Sequence, residues 1–372
     1  MGATVEQILA VVEEQAPAVL AYSWDRVGLQ IGSSRQEVTK LVVALEATEA
    51  VLQGAVAAGA ELVLCHHPLL FQPLSRFCPD KPLERIVAYA IKHDLAVAAA
   101  HTNLDAAQNG LNAYLARVLG LIRVEPLDTT HTETLLKLAV FVPVGYEDRV
   151  RRAICAVGGG VIGKYSHCSF LTRGQGTYLP DEGARPWAGV AGSLHRAAES
   201  RLEILVPAGV AGAAIRRLRE VHPYEEVAYD LYPLQNPGLR LGVGRVGDWP
   251  QPRPFDEVVV LLKEIFGVAS LKVTGRMPGH VQRVAVCGGS GGELIAQARH
   301  KGADIFMTGD IRYHQAVAWA QEPMAILDLG HYATEVLFIR EWGRQLAEGL
   351  QVAAMPVEVI VDRWGQDPFS HV

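Results

Sequence analysis

Glu61-Leu-Val-Leu-Cys-His-His-Pro68 is an apolar run that stops at two adjacent histidines, His66 and His67, followed at once by proline. Four other apolar runs end in a related way. Ala96-Val-Ala-Ala-Ala100 leads into His101-Thr-Asn-Leu-Asp105, and Val284-Ala-Val-Cys287 leads into Gly288-Gly-Ser-Gly-Gly292. Asp304-Ile-Phe-Met307 leads into Thr308-Gly-Asp310, with His314 just beyond. Ala325-Ile-Leu-Asp-Leu329 leads into Gly330-His331, with Glu335 four residues on. Short apolar runs followed by helix-like segments read as buried strands of an α/β sheet. Ligands of such sheets bind beyond the carboxyl ends of the strands. Five strand ends with polar, metal-capable or glycine-rich residues therefore point to one composite site.

Working outward, residues 1 to about 130 alternate helix and strand, and residues 240–372 repeat that style. Met1 to Leu20 reads as an amphipathic helix that lacks the basic start and unbroken apolar core of a signal peptide. Residues 131–239 read differently. Strands are expected over 135–142, 161–171, 201–206 and 226–234, helices over 147–157 and 210–221, and a Gly- and Pro-rich loop over 173–192. That is βαβ twice, a ferredoxin-like split unit inserted into a split α/β domain.

The 372 residues suffice for two or three domains, and 49% hydrophobic with 20% charged residues is ordinary for a globular chain. With 34 Lys and Arg against 40 Asp and Glu, there is no electrostatic case for nucleic-acid binding. No apolar run approaches a membrane span. Cys65, Cys78, Cys155, Cys168 and Cys287 are odd in number and make no Cys-x-x-Cys, so no disulfide framework is expected and a reducing cytoplasm is the default.

Consecutive residues of an extended chain project to opposite sides, so His66 and His67 serve two neighbouring ions better than one. His331 and Glu335, spaced i, i+4, share a helix face. Asp105, just past the His101 strand, can reach the same crevice. Imidazole with carboxylate is a ligand set for Zn, Mn or Fe(II), and a bridging carboxylate is the usual way to hold two ions. Five ligands for two ions leave positions open for water or substrate, which marks a catalytic rather than a structural site. A lone histidine near a strand end is more often simply hydrogen-bonded, and His93, His131, His167, His195, His222, His280, His300 and His371 take that reading.

The blocks Cys65-His-His-Pro-Leu-Leu-Phe71, His101-Thr-Asn-Leu-Asp105, Thr308-Gly-Asp-Ile-Arg-Tyr-His314 and Gly330-His-Tyr-Ala-Thr-Glu335 resemble the signature blocks of the Nif-three-like proteins, often labelled GTP cyclohydrolase 1 type 2 homologues. Trp24-Asp-Arg-Val-Gly-Leu-Gln30 also resembles theirs, with Arg26 where Asn is expected. Gly163-Lys-Tyr-Ser-His-Cys-Ser-Phe170 and His222-Pro-Tyr-Glu-Glu226 resemble the longer bacterial members, whose insert looks like the PII/CutA fold. The resemblance implies a dinuclear divalent-metal site carried by His66, His67, Asp105, His331 and Glu335, with Glu335 as the bridge. It also implies a ring-shaped oligomer, a homohexamer, with the sites facing an internal cavity.

His101 and His314 are the nearest titratable groups outside that ligand set. Each is a candidate general acid or base on a metal-bound water, against an equal claim to orienting a ligand. Asp310, at a strand end beside Gly309, is expected to cap a helix, with orientation of a metal ligand as the competing role. Gly288 to Gly292 is expected to be a tight strand-to-helix turn, with phosphate binding as the competing role. His222-Pro-Tyr-Glu-Glu226 reads as a structured turn or subunit contact. The function expected is a metal-dependent hydrolase acting on a small nucleotide or phosphorylated molecule. The alternative is a non-catalytic metal-binding or regulatory protein whose insert senses a small molecule or mediates assembly.

Overall fold

The computed structural model of the chain describes residues 2–370. They cluster into two compact units: the chain up to His131 together with that from Leu241 onward, and Thr132–Arg240. The elements begin β1 (Ala3–Thr4), α1 (Val5–Gln15), β2 (Gly28–Ile31), β3 (Glu37–Val38), β4 (Lys40–Ala44), α2 (Glu49–Ala57) and β5 (Leu62–Cys65). They continue α3 (Pro82–Lys92), β6 (Ala96–Ala99), α4 (Thr102–Ala106), α5 (Leu111–Val118) and β7 (Ile122–Thr132). The second unit holds β8 (Leu135–Pro143), α6 (Glu147–Cys155), β9 (Ser169–Tyr178), β10 (His195–Pro207), α7 (Ala208–Val221) and β11 (Tyr229–Pro233). The first unit resumes with β12 (Arg240–Pro254), α8 (Phe255–Phe266), β13 (Lys272–Thr274), β14 (His280–Ser290) and α9 (Ile295–His300). It closes with β15 (Ile305–Gly309), α10 (Tyr313–Trp319), β16 (Ala325–Asp328), α11 (His331–Val352) and β17 (Glu358–Val361).

Two large sheets build the first unit, in the orders β17-β4-β5-β6-β2 and β13-β16-β15-β14-β12-β7. β17, β4, β5 and β6 run parallel, as do β14, β15 and β16. Of these, β5, β6, β15 and β16 are buried along their whole length, which is why they read as unbroken apolar runs. α11 packs on β4 and β17 of one sheet and on β14 and β15 of the other. Its Phe338, Trp342, Leu346 and Leu350 enter a core shared by both sheets. Each such side chain stabilises by roughly 1.5–3 kcal/mol when fully buried. A second core lies under α2 and α3 on the other face of the five-stranded sheet.

The N-terminal helix is shorter than expected. Thr4 and Gln7 form a reciprocal capping box at the start of α1, and the helix stops at Gln15 ahead of Pro17, beyond which a 3₁₀ turn spans Ala18–Leu20.

The second unit is β-α-β-β-α-β with sheet order β11-β8-β10-β9, antiparallel throughout, over its own core from Leu138 to Leu218. The strand expected over 161–171 begins only at Ser169 and runs to Tyr178, through residues read as loop. Gly174 and Gly176 produced that misreading. Gly176 is needed in the strand because a Cβ there would collide with the buried carboxylate of Glu199. His222 ends α7 and sits in a turn: Nε2 donates to the Phe141 carbonyl (3.1 Å) and Nδ1 accepts from the Tyr224 N–H (3.1 Å). Among the described residues the cysteines are free, and no helix is long and apolar enough to cross a membrane.

Candidate metal centre

The carboxyl ends of β5 and β6 from one sheet and of β14, β15 and β16 from the other meet in the first unit. Pro68 and the buried end of β5 hold His66 and His67 there, and α4 begins directly after His101 and carries Asp105. α11 begins at His331, so its first turn presents His331 and Glu335 together. Ligand atoms of His66, His67 and His101 lie within 4.8 Å of one another, as do those of His67, His331 and Glu335. Either group could hold a metal ion, and His67 belongs to both.

Glu335 lies at the centre and is 3% exposed. Its Oε2 is 3.1 Å from Nε2 of His67 and 3.1 Å from Nε2 of His331, while its Oε1 is 3.8 Å from Nε2 of His66. Asp105 Oδ1 approaches His66 Nε2 at 3.5 Å. These are distances between atoms that face a shared centre rather than one another. His66 Nε2, Asp105 Oδ1 and Glu335 Oε2 are all buried with no hydrogen-bond partner. Leaving one such atom orphaned costs about 1–3 kcal/mol, a cost that a cation among the three could relieve.

All four imidazoles are held the same way. Nδ1 of His66 donates to the Ala100 carbonyl (3.0 Å), and Nδ1 of His67 to Glu46 (2.6 Å). Nδ1 of His101 donates to Asp25 (2.9 Å), and Nδ1 of His331 to Asp310 (2.7 Å). Each acceptor is a plain oxygen, so in the neutral ring the lone pair is on Nε2. Metal-binding histidines are typically oriented this way. Nε2 of His67 and His331 stand only 3.3 Å apart, a separation that either a shared proton or a bound cation would bridge.

The electrostatics agree. Burial pulls the His67 imidazolium down, but the carboxylates of Glu335 and Glu46 outweigh it and carry its pKa up to about 10. His331 rises to about 9, the pull of Glu335 and Asp310 again exceeding the cost of burial. Burial raises Glu335, yet His331, His66 and His67 hold it well below the usual carboxylate range. Asp105 is raised by burial, with His66 and His101 offsetting part of the shift. A pocket that raises two imidazolium pKa values favours positive charge of any kind. In the metal-free protein each ring therefore holds its added proton to higher pH than an unfolded histidine, which titrates near 6.5, although the charge on His67 opposes that on His331. That stabilisation is present below about pH 6.5 and is lost as pH climbs through 9 to 10. Chemical denaturation of chelator-treated protein is expected to give falling stability across that window, and a flat or rising profile would refute the assignment.

Glycines make the room. Gly289 has φ +62°, and a Cβ there would collide with Glu335 Oε1. A Cβ on Gly309 would sit 2.6 Å from the His331 nitrogen. The Gly289 N–H donates to Thr334 Oγ1 (2.9 Å), tying β14 to the first turn of α11. β14 runs through Gly288 and Gly289 to Ser290, so this run is not a tight turn that ends at the strand but a strand end pressed against Glu335. Behind Asp105, the buried Arg245 guanidinium donates to the carbonyls of Ala107 (2.9 Å), Gly242 (2.6 Å) and Gly244 (2.8 Å). Asn112 donates to the Asp105 carbonyl (3.1 Å) and accepts from the Gly288 N–H (3.0 Å). α4 is thereby clamped to the second sheet.

Sequence reasoning placed His66, His67, Asp105, His331 and Glu335, and the structure brings all five together. It brings His101 in as well. His314 is exposed on α10 beside Tyr313 and outside both groups. Asp310 is not a helix cap: α10 starts at Tyr313 with Arg312 before it, and Asp310, at φ +55°, turns back to His331. Asp310→Asn is expected to weaken metal binding roughly 10–100-fold, read by competition with a chromogenic chelator, because it removes the charge that holds the His331 tautomer. Unchanged affinity would return Asp310 to a purely local role. Asp25 and Glu46 were missed. Glu46 falls just past the end of β4, where the strand-end rule would have found it. His371 lies outside the described residues.

A family model described as Duf34/NIF3 (NGG1p interacting factor 3) matches residues 3–368. A Halalkalibacterium halodurans protein named GTP cyclohydrolase 1 type 2 homolog is 38% identical over 369 residues, covering 99% of this chain and 98% of its own length. A Bacillus subtilis protein of the same name is 39% identical over 332 residues, 89% of each. The crystal structure of a Bacillus cereus protein related to NIF3 superposes with a TM-score of 0.93 at 37% identity, covering all of both chains.

Proposed function

This chain belongs to the Duf34/NIF3 family, and on that footing we propose that it is a hydrolase dependent on a pair of divalent metal ions. The observation that carries the reading is the common tethering of four imidazoles through Nδ1, which leaves four Nε2 atoms beside two orphaned carboxylate oxygens. In this reading His66, His101, Asp105 and one oxygen of Glu335 hold the first ion. His67, His331 and the other oxygen of Glu335 hold the second. His101 thus moves from candidate base to ligand, since Asp25 fixes its Nδ1. His314 is left out of the chemistry.

Zn, Mn and Fe(II) all suit this donor set. Divalent ions held there by these residues would supply an activated water and polarisation of a carbonyl, imine or phosphoryl group. The chain's own part is to fix the donors. Glu46, Asp25 and Asp310 hold imidazole tautomers, Arg245 and Asn112 hold the α4 backbone, and Gly289 admits Glu335. The relatives' name suggests ring-opening hydrolysis of the GTP purine, and phosphoester hydrolysis would use the same groups.

The unit Thr132–Arg240 we read as an inserted ferredoxin-like domain of PII/CutA type, supported by its strand order and separate core. A cytoplasmic homohexamer completes the reading, with a solution mass six times the 40.3 kDa chain. The test is turnover on GTP and a panel of phosphoesters, before and after chelation and with metal restored. Metal-dependent turnover supports the hydrolase. Tightly held metal without turnover on any substrate favours a metal-binding or regulatory protein.

A further inference from the structure

Trp24 is 52% exposed and Phe71 42% exposed, in a chain whose other tryptophans include the fully buried Trp249 and Trp342. An exposed indole on a floppy loop would call for no explanation, but this one is fixed. Tyr22 stacks on it, with ring centroids 5.5 Å apart and planes 18° from parallel. The Tyr22 N–H donates to Thr102 Oγ1 (3.1 Å). Asp25, the next residue after Trp24, accepts from the Thr102 N–H (3.0 Å) and hydroxyl (2.5 Å), and from His101 Nδ1 (2.9 Å). The segment that orients the His101 imidazole therefore carries Trp24 on it.

Phe71 is tied to the same segment. Gln30 donates to the Arg26 carbonyl (2.9 Å) and accepts from the Leu70 N–H (3.0 Å), so one side chain staples the His66-His67 loop to the Trp24 loop. Trp24 and Phe71 then stand 5.8 Å apart at 58°. Trp24 meets the His101 ring edge-on, with centroids 6.3 Å apart. The result is a cluster of rings in which Tyr22 stacks on Trp24, Trp24 and Phe71 stay about half exposed, and His101 borders the donor cluster.

We propose that Trp24, with Phe71, is a stacking platform for a planar unsaturated ring of the substrate, whose reactive group is then delivered to the ions beside His101. This rests on the metal-hydrolase reading above and narrows it to ring-bearing small molecules, heteroaromatic or aryl. An open indole face prefers a flat π-system to a saturated ring of equal size, because quadrupole and dispersion terms both favour the stacked arrangement. Pre-fixing the platform removes the ordering cost that a mobile side chain would incur on binding.

The test uses the full-length, zinc-loaded protein and two probes that share one metal-binding group, phenylphosphonate and cyclohexylphosphonate. Their binding is measured calorimetrically in wild type, Trp24→Leu and Trp24→Phe, with zinc content and solution mass recorded for each. Wild type is expected to prefer the phenyl probe by at least about fivefold. Trp24→Leu, which keeps apolar bulk without a π-face, is expected to abolish the preference, and Trp24→Phe to retain part of it, all at unchanged zinc content. Equal binding of both probes to zinc-loaded wild type overturns the platform and leaves the metal reading standing. A Trp24→Leu protein of smaller solution mass identifies Trp24 as a contact with a second copy and also overturns it. Failure of wild type to retain zinc or bind either probe overturns the metal reading and the platform with it.

Discussion

Glu335→Gln is expected to empty the centre and abolish metal-dependent turnover. Glu335 lies within 4 Å of His66, His67 and His331 alike, and burial leaves no solvent to replace it. Glutamine preserves shape but removes the negative charge and turns one of the two donor oxygens into an amide N–H₂ that cannot ligate. Removing an outer partner of a metal ligand costs roughly 10–100-fold, so loss of the carboxylate proposed to serve both ions should exceed about 100-fold in affinity. The measurement is metal content after gel filtration, with thermal unfolding of the chelator-treated proteins as the folding control. Retention of both ions in Glu335→Gln would show that Glu335 does not bridge them.

Gly289→Ala is the second large effect, and it tests the backbone rather than a donor. The added methyl group is directed at Glu335 Oε1, and φ +62° is a conformation that L side chains rarely adopt. The backbone term alone is about 1–3 kcal/mol. Gly302 separates the two contributions, because it has φ +73° with nothing within 4 Å of a Cβ. Gly302→Ala should therefore lower stability while keeping its metal. Gly289→Ala should lower stability and also displace Glu335, with metal affinity down on the order of 100-fold or more. Equal metal binding by both variants would mean that Glu335 can move aside and that the glycine serves only the strand.

The contrast between Gly289 and His66 shows what the sequence made legible. A buried parallel strand is written as an apolar run, and the residue after it stands at the crevice, so His66, His67, His101 and Asp310 could be placed by counting. The i, i+4 spacing put His331 and Glu335 on one face for a similarly local reason. Groups that act across sheets carry no such mark. Asp25 orients His101 from 76 residues away and Arg245 clamps the Ala107 carbonyl from 138 away. Neither pairing has a period or a spacing to read. Asp310 was misassigned because capping and ligand orientation ask for the same residue type, and only the fold decides which donor is near. Glycines were ambiguous in the same way. Gly176 and Gly289 looked like loop and turn, whereas each lies within a strand, and is glycine there because a carboxylate occupies the place of a Cβ.

The most direct measurement is the metal stoichiometry of the full-length protein, purified without chelators and, in parallel, stripped and reconstituted with Zn, Mn and Fe(II). Two ions per chain are predicted, with His66→Ala and His331→Ala each weakening a different one. No bound metal after reconstitution with any of the three would contradict the account at its centre.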